Sequence, residues 1–420
     1  MDIFDVASET MLPDERSKYY DENVKWVVEY AYENASAIRD KMISVGISPS
    51  DIKGVNDLEK IPVTKKDDLP VLQSQYPPFG GLLGVPRENI SSVFISPGPI
   101  YDPFGEEVYI RQEKGLYAMG FRAGDLVLNT FSYHLVPAGL LTHQALSNLG
   151  VIVIPSGVGN TDLQLQILHD LDITGFIGTP SFLMTLIEKA EKSGYDFRSD
   201  FAVQTALLGA EMLPQTIRNK LVNVYGIRVS ESYATADLGI IAYECPCSCG
   251  MHIPEELLIE ITDPVTGRPL PPGETGEVVI TTFEKTRPLV RFGTGDLSML
   301  NEEPCQCERT SPRLVRIVGR VGESVKVRGM MVHPKELSNA LQRYSQIAAY
   351  QAVVNREGHR DDLTLRIELE SDNIDREKLS EDILQAVSTA CRVKFDKVEW
   401  VGKGTIPEDR KIILDERTWE

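Results

Sequence analysis

The sequence predicts an α/β protein in two parts: a large N-terminal domain of mostly parallel sheets flanked by helices plus an antiparallel subdomain, and a small α+β C-terminal domain. Three observations carry that expectation. From residue 92 onward short apolar runs alternate with amphipathic stretches, the pattern of strands joined by crossover helices. After Cys249 the texture changes to strand and turn, with LLIEIT, a Gly- and Pro-rich DPVTGRPLPPGETG, and EVVITTF. Finally, 420 residues are too many for one ordinary domain, so a boundary is placed near Arg320, dividing residues 1–320 from 321–420.

Taken in order, residues 14–45 read as helix, because Tyr20, Val24, Val27, Val28, Ala31 and Ala35 recur near the helical period. Thr64 followed by Asp67 reads as a capping box that opens a short helix. SVFIS, DLVLNT, VIVIP, ITGFIG and TALLGA are strand-like, whereas 136–149, 161–170, 181–193 and 214–224 are helix-like. In such a fold ligands are expected at the carboxyl ends of the strands. Beyond Val321 come KVRGMMV, a helix near 334–344, YQAVVN, LTLRIEL, a helix near 375–391 and KVEWV, a compact mixed unit.

Lys and Arg number 43 against 62 Asp and Glu, for a net charge of -19. That balance opposes nonspecific binding to nucleic acid or an anionic membrane, so any bound phosphate has to be met by a local cluster of donors. The N-terminal MDIFDVASETMLPDER has neither a basic leader nor an apolar core, and no apolar run approaches a membrane span. A cytoplasmic protein with no membrane or nucleic-acid partner is expected.

Five of the six cysteines fall in two tight clusters, Cys245, Cys247 and Cys249, then Cys305 and Cys307. This is metal-ligand spacing rather than a disulfide framework, and with His252 it offers more soft ligands than one tetrahedral zinc needs. Cys391 stands alone and reads as a small core residue.

The stretch 289–333 concentrates further chemistry. Gly293-Thr-Gly-Asp296 is a turn whose glycines let a ligand approach the backbone, with Asp296 offering two acceptor oxygens to a ribose diol or to its own backbone. Gly319-Arg320-Val321-Gly322 sets a cation beside a glycine suited to a swivel, and Lys326 follows in Val-Lys-Val-Arg-Gly.

The order Arg-x-x-x-Gly-Asp, Gly-Arg, then Lys and Gly before Pro-x-Glu-Leu resembles the adenylate-forming superfamily, and within it the phenylacetate-CoA ligase family. The likeness runs along nearly the whole chain, through IPVTKKDDL at 61–69, PSGVGNTDLQ at 155–164, GTPSFL at 178–183, GAE at 209–211 and ESYATADLG at 231–239. It implies activation of a small carboxylic acid by ATP to an acyl-AMP and pyrophosphate, then acyl transfer to the thiol of coenzyme A. A homodimer is compatible with it.

The resemblance also implies roles. Gly209, Ala210, Glu211 and Ala234 line the nucleotide pocket, Tyr233 stacks on adenine, and Asp237 stands where the family's glutamate holds Mg2+. The place of the family's phosphate-binding hydroxyl is taken by Ala236, unless Thr235 substitutes for it. Asp296 takes the ribose, and Arg291 either reaches ribose or phosphate or pairs with an acidic neighbour. Phe131 to Gly139 line the acyl site and suit an aryl or medium apolar acid, with Tyr133 and His134 either lining it or packing at a strand end. Arg320 lies in the hinge about which the small domain rotates between its two reactions. Lys403 and Lys411 are the candidates for the mobile catalytic lysine; neither is in the family's register, and surface lysines are the alternative. Cys245, His252, Cys305 and Cys307 map onto a closed, structural zinc site that leaves Cys247 and Cys249 surplus.

One departure matters. Where the family has Ser-Ser-Gly-Thr-Thr-Gly-x-Pro around the phosphates, this chain has Ser96-Pro-Gly-Pro-Ile-Tyr-Asp102-Pro103. Three prolines supply no N–H, the paired threonines are gone, and Asp102 adds negative charge. Two functions therefore stand side by side: an AMP-forming acyl-CoA ligase, or a non-catalytic relative that binds a nucleotide or acyl compound as a sensor or assembly partner.

Overall fold

A computed structural model describes residues 3–96, 100–211, 213–321, 325–328, 330–357, 360–371, 375–391, 393–407 and 410–417. The chain divides into two compact units. The larger comprises the residues up to Thr294 together with Ser298–Arg316; the smaller comprises Gly295–Leu297 and Ile317 onward.

After a single helical turn at Val6–Glu9, the large unit continues with helices α1 (Pro13–Asn34) and α2 (Ser36–Ser44). The single helix expected over 14–45 is interrupted at Ala35, whose backbone is extended (φ -108°, ψ 104°). The expected capping box at Thr64 does not form. Thr64–Lys65 instead pairs in parallel with Phe292 and Gly293, and the Thr64 hydroxyl accepts from Lys41 Nζ at 2.8 Å. SVFIS is strand β1 (Ser92–Ser96), but it lies outside the parallel sheet: it pairs antiparallel with β2 (Ile100–Phe104).

Helix α3 (Val108–Met119) follows, then β3 (Leu126–Asn129), α4 (Pro137–Asn148), β4 (Ile152–Pro155), α5 (Thr161–Asp170), β5 (Gly175–Gly178), α6 (Pro180–Lys192), β6 (Thr205–Leu208), α7 (Gln215–Asn223), β7 (Arg228–Thr235) and β8 (Gly239–Glu244). These strands join β9 (Met251–His252), β13 (Leu300–Asn301) and β14 (Arg313–Leu314) in one nine-stranded sheet of order β13-β14-β9-β8-β7-β6-β5-β3-β4. Its β3 to β7 part is parallel, and from β8 onward the pairing is antiparallel. A second sheet contains β10 (Leu257–Thr262), β11 (Gly276–Thr282) and β12 (Phe292–Ser298).

Both faces of the parallel strands are covered, which is why they read as unbroken apolar runs. Leu128, Phe176, Ala206 and Leu208 enter a core with α5, α6 and α7, while their neighbours Val127, Ile177 and Leu207 enter another with α3 and α4. Helix α6 starts where its sequence says it should: Pro180 occupies the first turn, and Thr179 Oγ1 accepts from Phe182 N at 3.2 Å.

Helix α3 was not apparent in the hydrophobic pattern because polar side chains interrupt its buried face. Arg111, Gln112 and Lys114 are all enclosed. Arg111 pairs with Glu284 and the Leu238 carbonyl, and Lys114 reaches Glu255 at 2.9 Å and Ser8 Oγ at 3.0 Å. A buried cation is tolerated only with partners of this kind.

The small unit has a four-stranded sheet of order Lys397–Val401, Arg360–Leu369, Ile347–Glu357, Ile413–Asp415, with helices Pro334–Leu341 and Arg376–Ala390. Val325, Val332, Leu337, Leu363, Leu365, Ile383 and Val387 form its core, and Cys391 is buried there. Among the described residues no helix is long and apolar enough to cross a membrane.

Candidate active site

At the carboxyl ends of the parallel strands, where this topology puts ligands, the large unit encloses a cavity of about 240 Å³. Phe131 after β3, Gly209 and Ala210 after β6, and Ser232, Ala234, Thr235 and Ala236 at the end of β7 form part of its wall. Val136, Pro137, Ala138, Leu141 and Thr142 from α4 and its approach, Gly239 and Ile240 from β8, and Gln112 from α3 complete it. The wall is mainly apolar with few polar atoms, the usual make-up of a small-molecule site.

The expected residues sort themselves around this cavity. Gly209, Ala210, Ala234 and Thr235 line it, as do Phe131, Val136, Pro137 and Ala138 of the expected acyl segment. Ala210 adopts a left-handed backbone (φ 64°). Glu211 lies outside: it is exposed, and its Oε1 accepts from Ser181 N at 2.6 Å at the start of α6, which holds its carboxyl below the usual range. Tyr233, between two lining residues, is buried and is not part of the wall. Tyr133 and His134 take the packing alternative. The Tyr133 hydroxyl accepts from Asn129 Nδ2 at 3.0 Å and meets His143 Nδ1 at 3.1 Å, and His134 is exposed.

Beside the cavity lies a charged network that only half announces itself in sequence. Asp237 is buried, its Oδ1 2.6 Å from Lys66 Nζ and its Oδ2 without a partner among the described residues. Arg287 Nη1 donates to the Asp237 carbonyl oxygen (2.9 Å) and to Asp102 Oδ1 (3.0 Å), and Ser96 Oγ donates to Asp102 Oδ2 (2.8 Å). Asp102 was expected to add a repulsive charge to the phosphate loop. Instead it points inward from β2, and burial pushes its carboxyl up while Arg287 opposes that shift. Lys66 lies in the IPVTKKDDL motif, but nothing in the sequence pairs it with Asp237. Arg287 had no sequence signal at all.

Arg291 needs correcting as a nucleotide ligand. Its guanidinium is spent inside the protein, on Glu260 Oε2 (3.0 Å), the Ile61 carbonyl (2.8 Å) and the Gly267 carbonyl (2.6 Å), with the residue 1% exposed. A buried carboxylate on β10 needs a cation, and Arg291 is that cation. The acidic-neighbour alternative is the one the fold adopts.

In the small unit, Asp296 lies opposite Arg320 in an antiparallel pair of strands, and Arg320 Nε donates to its Oδ1 at 3.1 Å. Lys326 lies in the strand Val325–Val327, while its side chain and all of Gly322 fall outside the described residues. Lys403 is on a surface turn with its Nζ 3.5 Å from Glu370, and Lys411 is exposed, its carbonyl accepting from Gln351 Nε2 at 2.9 Å.

The four soft ligands converge. The donor atoms of Cys245, His252, Cys305 and Cys307 all lie within 4.8 Å of one another. Cys245 and Cys305 sulfurs are 3.7 Å apart, and Cys307 Sγ is 3.3 Å from His252 Nε2. A tetrahedron with arms of about 2.3 Å has edges of about 3.7 Å, so the set fits zinc. His252 Nδ1 meets Ser311 Oγ at 3.2 Å, the outer contact that fixes a ligating imidazole. Crowding splits the thiols: contacts with Cys245 and His252 pull Cys307 down, while contact with Cys307 and burial push Cys245 up. Cys249 is exposed, with its sulfur 3.4 Å from that of Cys305; Cys247 packs alongside.

Comparison with known proteins agrees with this architecture. Residues 110–284 match the AMP-binding enzyme family, and residues 329–417 match the AMP-binding enzyme C-terminal domain. A phenylacetate-coenzyme A ligase of Thermus thermophilus is 33% identical over 399 residues, 90% of this chain and 87% of that one. The Escherichia coli phenylacetate-coenzyme A ligase is 30% identical over 381 residues, covering 87% and 85%. A solved structure of 2-hydroxyisobutyryl-CoA ligase in an open conformation, with 2-HIB-AMP and CoA, superposes with a TM-score of 0.88 at 26% identity, covering 97% of this chain and 93% of that one. The chain thus belongs to the AMP-binding, adenylate-forming enzymes, as a member similar to the phenylacetate-CoA ligases.

Proposed function

We propose that the protein is an AMP-forming acyl-CoA ligase that activates an aryl or otherwise apolar carboxylic acid with ATP and passes the acyl group to the thiol of coenzyme A. The observation that carries this reading is the largely apolar cavity bounded by Gly209, Ala210 and Ala234 to Ala236, with Asp237 next along the chain. Asp237 holds one buried oxygen without a protein partner, a hard ligand suited to Mg2+, and such an ion would neutralise phosphate charge during transfer. Lys66 fixes the other oxygen and keeps that ligand oriented.

The remaining assignments follow from the same reading. Gly209 and Ala210 border the adenine, with Tyr233 buried behind the wall, and Asp296 takes the ribose hydroxyls. Arg320 belongs to a hinge that lets the small unit serve both half-reactions. Lys403 or Lys411 supplies the mobile cation, and Lys326 contributes from its strand. Cys245, His252, Cys305 and Cys307 hold a structural Zn2+.

The sequence Ser96-Pro-Gly-Pro-Ile-Tyr-Asp102-Pro103 lacks the paired threonines and, at its prolines, the N–H donors with which the family's loop holds the β- and γ-phosphates. AMP and acyl-AMP should therefore bind better, relative to ATP, than in a relative with the intact loop. Affinities for AMP and ATP with Mg2+, and acid-dependent exchange of pyrophosphate into ATP over a panel of acids, test the reading. Exchange with at least one acid is expected. Tight AMP binding lost in Asp296→Ala, with no exchange for any acid, would replace the ligase with a nucleotide-binding protein.

A further inference from the structure

The stretch Cys307-Glu-Arg309-Thr310-Ser311 serves the metal cluster and the N-terminal segment together. It carries one of the four soft ligands and steadies another, since Ser311 Oγ meets His252 Nδ1 at 3.2 Å. Its two middle residues grip the first turn of the chain. Arg309 Nε donates to Glu9 Oε2 at 2.5 Å, with both side chains 1% exposed. Thr310 N donates to the Glu9 carbonyl oxygen at 3.0 Å, and Thr310 Oγ1 donates to that of Met11 at 2.6 Å while accepting from Arg16 Nη2 at 2.9 Å. Polar contacts rather than apolar burial hold residues 5–12 down. Val6 and Leu12 turn to solvent, and Phe4, its ring centroid 5.5 Å from that of Tyr117, is the aromatic anchor before them.

Glu9 and Arg309 are both withdrawn from water, so each needs the other as its counter-charge. Arg309 also belongs to the cluster: its backbone N–H and its guanidinium both lie against the Cys307 sulfur. Three thiolates outweigh Zn2+ by one charge, and a cation beside the sulfur stabilises that excess. Regular structure does little to place this stretch, because the strands before and after it, β13 and β14, have two residues each. Ligation through Cys305 and Cys307 is then what decides where Arg309 and Thr310 stand. We propose that Arg309 and Glu9 are positioning residues of the metal site, and that the ion and the N-terminal segment hold each other: zinc binding orders residues 5–11 against 307–311, and that segment slows loss of the zinc. The coupling has to act equally in both directions. It rests on the zinc reading of the four ligands and not on the acyl chemistry.

The test follows amide hydrogen exchange by mass spectrometry in the full-length protein with Zn2+ bound, after a chelator has removed it, and after Zn2+ is restored. Amides of residues 5–11 and 307–311 should lose protection without the ion and regain it on restoration, while those of helix α6 should not change. Glu9→Gln keeps the shape and removes the charge. It should still take up one Zn2+ per chain but release it to a chelator about tenfold faster. It should also lower the melting temperature of the zinc-loaded protein more than that of the zinc-free protein, whereas a merely structural contact would lower both equally. Arg309→Lys, which keeps the charge without the planar fork, should fall between wild type and Glu9→Gln in zinc release. Equal protection of residues 5–11 with and without Zn2+ overturns the proposal, and that measurement needs no variant to fold. Loss of protection spread equally over α6 also overturns it, as does unchanged zinc release from Glu9→Gln. Those outcomes leave the zinc reading standing. A wild-type protein that binds no Zn2+ removes the zinc reading and the proposal together.

Discussion

The cysteine–histidine cluster and the Asp237 network are both tight knots of ionisable side chains in the large unit, yet they are balanced differently. In the first, three thiols and an imidazole face one another across less than 4.8 Å with no protein cation among the four. In the second, each carboxylate already has a cation: Lys66 on Asp237 and Arg287 on Asp102. The first is completed only by an ion that satisfies all four ligands at once. The second is nearly complete and leaves one oxygen, Asp237 Oδ2, open. On the proposed reading, a cluster short of a charge would store stability in the ion it binds, whereas a cluster short of one ligand would take a substrate-borne metal and let it go.

Asp237→Asn is the substitution expected to act most strongly. It keeps the shape and removes the charge on which the open oxygen depends, and acid-dependent pyrophosphate exchange should fall by about 10²–10³-fold. The purified variant should keep the thermal stability of the parent to within a few degrees. A collapse in stability with unchanged exchange per folded molecule would make Asp237 merely the counter-ion of Lys66.

Next in size is Cys307→Ser. Bound zinc should fall from one per chain towards none, and the melting temperature should drop sharply, because a structural zinc contributes on the order of 10 kcal/mol in small metal-held folds and a serine cannot replace a thiolate. A full zinc complement in this variant would show that Cys249 or Cys247 has taken the vacant corner.

Legibility in the sequence differed between the two clusters for the same reason. Cys and His declare metal chemistry by residue type and spacing, but spacing offered more ligands than one ion needs, and only the family resemblance singled out Cys245, His252, Cys305 and Cys307. Lys66, Arg287, Asp102 and Asp237 are ordinary charged residues whose meaning lies in their pairing, and the separations involved, 171 and 185 residues, leave no local trace. The fold followed the same rule. Strands β3 to β6 and helices α4 to α7 were readable from apolar periodicity. Helix α3 was not, because Arg111, Gln112 and Lys114 occupy positions that periodicity reserves for apolar side chains. Arg291 was misjudged as a ligand because a family position identifies a residue but not the buried Glu260 waiting beside it.

That correction gives a third, smaller effect. Arg291→Met should destabilise the protein by about 3–5 kcal/mol, since it leaves Glu260 buried without its cation. Among molecules that remain folded, AMP affinity should change less than twofold. A large loss of AMP affinity in a stable variant would return Arg291 to the nucleotide site.

The smallest expected effect separates ligand from bystander within the metal cluster. Cys249 is exposed, its sulfur 3.4 Å from that of Cys305, and Arg313 Nη1 donates to it at 2.6 Å and to its carbonyl oxygen at 2.6 Å. The guanidinium already engages that sulfur and His252 Nε2 faces Cys307, so in the proposed zinc site Cys249 is assigned to the outer contacts rather than to a fourth corner. Cys249→Ser should therefore keep one zinc per chain. Competition with a chelator should reveal a loss of affinity of about tenfold, the lower end of what outer contacts contribute to metal sites. Were His252→Ala instead to retain zinc with Cys249 intact, and lose it only when both are changed, the ion would be held by four sulfurs, and the imidazole would be the bystander.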